Sequence, residues 1–289
     1  MSYIHKLLLI SALVMLSFSD AFSQSNAKVT TRNITKIAGD LYRFQNNFHY
    51  SVFLVTKDGV IVTDPINAEA ATWLKDEIKT RFNKPVKYLI LSHDHPDHSA
   101  GGEVFVEAGA TVIAHKETKA IIEGEKRPTA IPDITFEDTM TVSLGGKTVD
   151  LHYLGKGHSN NSIVMLFNDA RTLFVVDSIT VNRLPYKGLS DAYFPDWIDT
   201  IRKVESLDFD ILAPGHGVIG NKEDARKHGD YLEALYTGVL SGLREGKTLD
   251  ELKSSILLDE HKAWGQYKAW RTLNIEGVYK NIALHRRSN

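Results

Sequence analysis

A chain of 289 residues, 43% hydrophobic and 24% charged, carries enough apolar side chain to bury one large core, which excludes a disordered or low-complexity protein. Its formal net charge of −2, with no stripe of Lys and Arg, argues against gripping a nucleic acid by its phosphates. There is no Cys, so disulfides, thiolate metal ligands, thiol nucleophiles and lipid-bearing cysteines are all excluded.

At the N-terminus, Lys6 precedes a largely apolar, charge-free run over 7–18, followed by Ser19-Asp20-Ala21-Phe22-Ser23-Gln24. A basic start, a short apolar stretch and a small-x-small site make up the layout of a secretory signal peptide. The run falls short of the roughly 20 apolar residues that span a bilayer, although an uncleaved anchor is the alternative. The expectation is a signal peptide over 1–23, cut near Ser23, and a mature single domain over 24–289 that is periplasmic or secreted and free of the membrane.

Beyond the leader, β-rich runs are predicted over 41–44, 51–56 and 60–63, with Asp58-Gly59 as a tight hairpin signal between the last two. Over 68–81, Ala70, Trp73, Leu74 and Ile78 fall near helical spacing, so one helix face packs on a sheet. Residues 88–91 are continuously apolar, as in a strand buried on both faces. A short helix over 102–107, a strand over 111–114 and a helix over 117–123 follow. Strand character then runs over 135–154, broken by a turn at Gly145-Gly146, before strands at 162–167 and 172–176. A helix over 197–207, a strand over 210–213 and a helical segment over 222–286 complete the chain. This order suggests an α/β fold of two mixed sheets packed together and covered by helices on the outside.

The strand at 88–91 delivers the chain into Ser92-His93-Asp94-His95-Pro96-Asp97-His98. Two histidines one residue apart at a strand end can reach one cation together, while the turn that follows redirects Asp97 and His98 to another. Further on, Gly157-His158-Ser159, Phe174-Val175-Val176-Asp177-Ser178 and Pro214-Gly215-His216-Gly217 each place a lone ligand-type residue at a strand end or in a glycine-bearing loop.

The first motif resembles the His-x-His-x-Asp-His signature of the metallo-β-lactamase superfamily, and the later three resemble its remaining ligand motifs in the same order. The resemblance covers nearly the whole mature chain and implies an αββα four-layer sandwich. It also implies a binuclear zinc centre: His93, His95 and His158 on the first ion, Asp97, His98 and His216 on the second, and Asp177 bridging the two. Nitrogen and carboxylate donors with water completing each shell suit catalytic zinc. The implied activity is hydrolysis of an ester, thioester, lactone or lactam bond in a small molecule, by water that zinc acidifies to a pKa near roughly 7, with Asp97 orienting the nucleophile and handling its proton. One large group of metallo-β-lactamases carries Cys where Asp177 stands, and the cysteine-free ones usually lack the bridging Asp, so Asp177 looks more like the glyoxalase II and lactonase branches. A β-lactamase proper, or a mononuclear-iron sulfur dioxygenase of the same superfamily, is the alternative.

Several neighbouring residues are open to two readings. Asp64, in Val62-Thr63-Asp64-Pro65, resembles the family's buried strand-end Asp and would accept a ligand histidine's second N–H, or else simply forms a turn before Pro65. Ser92 and Asp94 read as structural. His49, with Asn46 and Asn47, reads as a surface loop, or as a turn over the pocket as in relatives. Ser159, Asn160 and Asn161 are candidate hydrogen-bond donors to substrate, and Tyr186, Tyr193 and Phe194 are either a substrate wall or satellite core. His5, His115, His152, His228, His261 and His285 show no ligand context, and the oligomeric state is not legible.

Overall fold

The computed structural model describes residues 30–285; the expected leader over 1–23 lies outside the described residues. Strands β1 (Arg32–Ala38), β2 (Leu41–Asn46), β3 (His49–Val55) and β4 (Val60–Thr63) form an antiparallel meander. Helix α1 (Ala68–Phe82) leads to β5 (Val86–Ile90), the one-turn helices α2 (Pro96–Ser99) and α3 (Glu103–Val106), and β6 (Thr111–His115). Helix α4 (Lys116–Gly124) and β7 (Ile134–Phe136) complete this half, and β4 to β7 run parallel. These strands form a seven-stranded sheet in sequential order.

The second half contributes β8 (Thr139–Leu144), β9 (Lys147–His152), β10 (Val164–Phe167), β11 (Thr172–Val175), α5 (Asp196–Ser206) and β12 (Ile211–Pro214). They build a five-stranded sheet of order β12-β11-β10-β9-β8, antiparallel except between β11 and β12. Helices α6 (Lys222–Arg244), α7 (Leu249–Ser255) and α8 (Tyr267–His285) follow.

Side-chain alternation along the strands produces the layers. Val52, Leu54, Ile61 and Ile90 of the first sheet meet Val149, Leu151, Met165 and Phe174 of the second in a core between the sheets. The opposite residues, Phe53, Val60, Val62 and Leu89, pack on Ala70, Leu74 and Ile78 of α1. On the far side, Leu173, Val175 and Leu212 pack on α5, α6 and α8. The result is the expected αββα sandwich with a helical C-terminal segment. In α5, Trp197, Thr200, Ile201 and Val204 are buried at i, i+3, i+4 and i+7, the stripe of a helix lying on a sheet. Helix α1 starts where the Asn67 side chain accepts from the Ala70 amide, and α6 starts with a reciprocal Asn221–Asp224 capping box.

Two sequence expectations change. The strand-like stretch over 135–154 belongs to both sheets: β7 pairs with β6 in the first, and the chain crosses at Glu137-Asp138 before β8 joins the second. Strand β1 was not expected, because as an edge strand with few buried positions it shows no apolar run.

Helix α6 carries His228, fully buried beside Thr180 and Trp197, and burial pushes its pKa down to about 3. An unfolded histidine titrates near ~6.5. The folded group is depressed, so its contribution to stability is complete above the unfolded value and is lost as pH falls from there toward the folded one, by up to about 1.4 kcal/mol per pH unit. His228→Gln is expected to flatten the fall in unfolding free energy between about pH 6.5 and about pH 5, read from urea titrations; an unaltered slope would show that the proton goes elsewhere.

Candidate metal centre

The parallel strands β4 and β5 of one sheet and β11 and β12 of the other end at one rim, which is why residues far apart in sequence converge there. Asp64 follows β4, His93 follows β5, Asp177 follows β11 and His216 follows β12. Pro96 is the first residue of the one-turn helix α2, and that turn swings Asp97 and His98 away from His93 and His95.

All seven residues named from the sequence motifs meet. His93, His95, His158 and Asp177 form one group, and Asp97, His98, Asp177 and His216 another, with the candidate ligand atoms of each group within 4.8 Å of one another. Asp177 belongs to both. Its Oδ2 stands 3.6 Å from His93 Nε2, 3.5 Å from His158 Nε2 and 3.3 Å from His98 Nε2, while its Oδ1 is 3.2 Å from His216 Nε2. His158 Nε2 and His95 Nδ1 are 3.1 Å apart, as are His98 Nε2 and His216 Nε2. Donors at about 2.0–2.1 Å from one tetrahedral ion sit roughly 3.3–3.4 Å from each other, so these edges fit zinc-sized shells. His93 Nε2 is buried without a hydrogen-bond partner and points into the first group, an orphan that a cation satisfies.

The far side of the imidazoles is held by named groups. Ser92 Oγ lies 2.9 Å from His93 Nδ1, leaving Nε2 for the centre, so Ser92 orients a candidate ligand rather than merely shaping the loop. His216 Nδ1 donates to the Phe48 carbonyl at 2.9 Å. His98 Nδ1 and Asp64 Oδ2, both buried and otherwise unpartnered, face each other at 3.9 Å, while Asp64 Oδ1 accepts from the Ser92 amide at 2.8 Å. Asp64 is therefore a carboxylate at a histidine's back, as the resemblance implies, and burial raises its pKa to about 6. The partner that sequence reasoning missed is Asp191, whose Oδ2 lies 2.7 Å from His95 Nε2 and so turns His95 Nδ1 inward. No motif surrounds Asp191, and a chain of loop residues separates it from Asp177, so nothing in the sequence marks it.

Electrostatically, the centre favours positive charge. Burial resists ionisation of Asp177, yet His98, His216 and His158 hold its carboxyl well below the usual range. Burial would lower His98, but Asp177, Asp64 and Asp97 lift it to about 9. His93 goes the other way: burial and the neighbouring histidines push it well below its ordinary value, so it offers a bare nitrogen.

Other sequence readings resolve as follows. His49 faces the centre, with Nε2 3.3 Å from Asp97 Oδ2 and its ring against those of His216 and His98. This corrects the surface-loop reading, because β3 begins at His49 and turns it toward the rim. Asn161 is fully buried and does not face substrate: its Oδ1 accepts from the Asp94 amide and Thr118 Oγ1, and its Nδ2 donates to Asp94 Oδ1. Arg127 closes this knot with Asp94 at 2.9 Å, so Asp94 is structural as expected. Ser159 bonds Ser162, and Tyr153 Oη donates to the Asn160 carbonyl. Tyr186 lines the cavity, whereas Phe194 stacks on Tyr236 and Tyr193 lies under Lys156.

Two further residues fix the His216 loop. Arg43 Nη2 on β2 donates to the carbonyls of Pro214 and Gly217, both at 2.8 Å, with its guanidinium over the Tyr50 ring. Gly215 is required, since a Cβ there would stand 2.5 Å from Val176 Cγ1 and 3.1 Å from His98 Cε1. A cavity of about 660 Å³ opens above the centre, lined by His95, Asp97, His158, Asp177 and His216 among others. That volume suits a small molecule.

Fold and donor set together define a metal-dependent hydrolase built on a two-sheet sandwich. The chain belongs to the metallo-beta-lactamase superfamily, whose family model matches residues 46–216. It is similar to the metallo-beta-lactamase type 2 of Elizabethkingia meningoseptica, with 29% identity over 198 residues, 64% of this chain and 77% of that protein. It is also similar to the 2,4-dinitroanisole O-demethylase subunit alpha of Nocardioides sp. (strain JS1661), with 26% identity over 66% of this chain and 60% of that protein. Among solved structures, the metallo-beta-lactamase from Pontibacter korlensis shares the fold, with a TM-score of 0.64, 22% identity, and coverage of 70% of this chain and 99% of that one.

Asp191→Ala frees the His95 ring to rotate, and loss of such a partner typically costs about 10–100-fold in metal affinity. The expected outcome is weakening of that size in chelator competition, with the far-ultraviolet circular dichroism unchanged. Affinity equal to the parent's would remove Asp191 from this role.

Proposed function

We propose that the protein is an exported zinc-dependent hydrolase, holding two zinc ions per chain and cleaving an ester, thioester, lactone or lactam bond in a small molecule. The observation that carries this reading is the pair of four-donor groups sharing Asp177, whose Oδ2 lies 3.6 Å and 3.5 Å from His93 and His158 of the first group and whose Oδ1 lies 3.2 Å from His216 of the second. His93, His95 and His158 would hold one ion, Asp97, His98 and His216 the other, and Asp177 both. When bound, the ions would supply Lewis acidity, making water nucleophilic at neutral pH and polarising the substrate carbonyl.

The chain's own residues do the rest. Asp97, half-exposed at the cavity floor, works against burial: its hydrogen bond to His49, with His98 beside it, brings its pKa down to about 2, so it is an ionised acceptor for a proton from attacking water. His49 restricts the Asp97 carboxylate to one orientation. Ser92, Asp191 and the Phe48 carbonyl keep the imidazoles in place, so little reorganisation accompanies reaction. Phe48 and Tyr186 at the cavity wall present apolar surface to the rest of the substrate.

β-Lactam hydrolysis is the second reading, supported by the names of the relatives in Elizabethkingia meningoseptica, Chryseobacterium indologenes and Bacteroides fragilis. The second donor group of Asp97, His98, Asp177 and His216 speaks against a mononuclear-iron sulfur dioxygenase, which needs a single ion. Export rests on the N-terminal sequence; among the described residues no helix is long and apolar enough to cross a membrane.

The test is metal content and turnover on one purified sample offered β-lactam, lactone and thioester panels. About two zinc per chain with hydrolysis of one panel is expected, and one iron with oxygen consumption would overturn the reading. His95→Ala and Asp177→Ala are each expected to abolish metal-dependent hydrolysis with the fold retained; full activity in either variant would sink the ligand assignment.

A further inference from the structure

Asp191 holds His95 from a position that its own side chain does not secure. Its carboxylate is half exposed, and among the described residues no side chain other than His95 lies within ion-pair or hydrogen-bond distance of it. The backbone beneath must place it, because an exposed side chain moves freely among its rotamers. That backbone is irregular. Residues 180–191 form no strand or helix apart from an isolated bridge of Arg183 to Gly265, and Asn182, Lys187 and Leu189 take positive φ, which side chains disfavour.

The support comes from α8, which lies beyond the family match ending at residue 216. Asn274, Gly277 and Asn281 recur at i, i+3 and i+7 on one buried stripe of this helix. Asn274 Nδ2 donates to the Pro185 carbonyl at 3.2 Å and to that of Lys187, while its Oδ1 accepts from Tyr231 Oη on α6 at 2.7 Å. Gly277 lies so close to Gly188 that a Cβ would overlap the Gly188 carbonyl. Asn281 Nδ2 donates at 3.0 Å to the Leu189 carbonyl, which also accepts from the Ala192 amide at 3.3 Å and so closes the turn that carries Asp191. Beyond the turn, the Tyr193 amide donates to the Gly157 carbonyl at 2.8 Å, next to His158. Asp191 therefore sits between one anchor on the His158 loop and another on α8. Burying an amide where a Leu would pack is costly unless its hydrogen bonds are made, and both Asn side chains make theirs to this loop.

We propose that α8 is the base plate of the first donor group: Asn274, Gly277 and Asn281 set the height of the 180–191 loop, and through it the place of Asp191 and the orientation of His95. This rests on the reading of His95 as a metal ligand. The three are positioning residues, and a segment outside the family match thereby tunes the affinity of the centre for its cation.

The test is a double-mutant cycle on the full chain, read as zinc affinity by chelator competition. Asn281→Leu is expected to weaken binding by about 3–10-fold, the worth of one hydrogen bond, while Asp191 is present. In Asp191→Ala the same substitution should change affinity by less than about twofold, because the loop has nothing left to position. Gly277→Ala, which removes no hydrogen bond but pushes on Gly188, should follow the same pattern, so the result does not hang on the folding of one variant. Parental affinity in either folded variant, or losses that add in full to that of Asp191→Ala, overturns the proposal, since a helix that only stabilised the fold would act with or without Asp191. Should the parent take up no zinc, the ligand reading of His95 fails separately, and proton–nitrogen NMR of the histidine rings in the metal-free protein decides. The neutral His95 ring is expected to carry its proton on Nε2 in the parent and to lose that preference in Asn281→Leu and Asp191→Ala alike; a tautomer untouched by Asn281→Leu overturns the proposal.

Discussion

One carboxylate surrounded by four imidazoles at the junction of two sheets sets the terms for everything near it. Asp177 lies within 3.2 to 3.6 Å of ring nitrogens from His93, His98, His158 and His216. Those rings come from β5 and α2 of the first sheet's half and from the loops after β9 and β12 of the second. Burying an ionised carboxylate is costly unless cations or strong donors surround it. The histidines meet that need only if they converge, so the packing of the two sheets, the backbone turns at their ends and the charge balance of the cluster are one constraint. The outer nitrogens of His93, His95 and His216 then contact Ser92, Asp191 and the Phe48 carbonyl, each fixing which ring nitrogen looks inward, while Asp64 faces that of His98 at 3.9 Å.

The fold was legible where local pattern and tertiary environment agree. The buried strand before His93, the stripe of α5 and the hairpin at Asp58-Gly59 are consequences of period-2 and period-3.6 burial, and the structure contains them within a residue or two. What the sequence did not reveal depends on partners distant along the chain. Strand β1 is held by pairing at an edge, not by its own side chains, and β7 joins the first sheet although its sequence continues smoothly into a strand of the second. The seven clustered residues were legible because each sits in a motif, and their order along the chain is what the family resemblance predicted. Asp191 and Arg43 were not, because their significance comes from contacts with His95 and with the Pro214 and Gly217 carbonyls. Asn161 misled for the converse reason: an Asn beside a ligand looks available, yet Asp94 and Thr118 use up its amide.

The C-terminal helices lie beyond the residues that the family model matches. They cover the outer face of the second sheet with Tyr231, Leu232, Leu235 and Val239 of α6 and Ile275, Val278 and Ile282 of α8. The same helices supply the donors that the irregular loop over the cavity lacks internally. A loop with positive φ at several non-glycine positions is poorly determined by its own residues. Rigid support from a packed helix turns it into a wall of defined shape, supplied by a segment that contributes none of the seven clustered donors.

The Arg43 latch has a wider implication. A guanidinium rooted in the first sheet holds two carbonyls that flank His216 on the second, so the spacing between the two donor groups reports how the sheets are seated on each other. Any change in the inter-sheet core that slid one layer by a fraction of an ångström would be transmitted to the gap between the two donor groups. The interior of the sandwich thus works as a calliper on its own rim, and evolution of the hydrophobic layer is tethered to the reactivity of the centre.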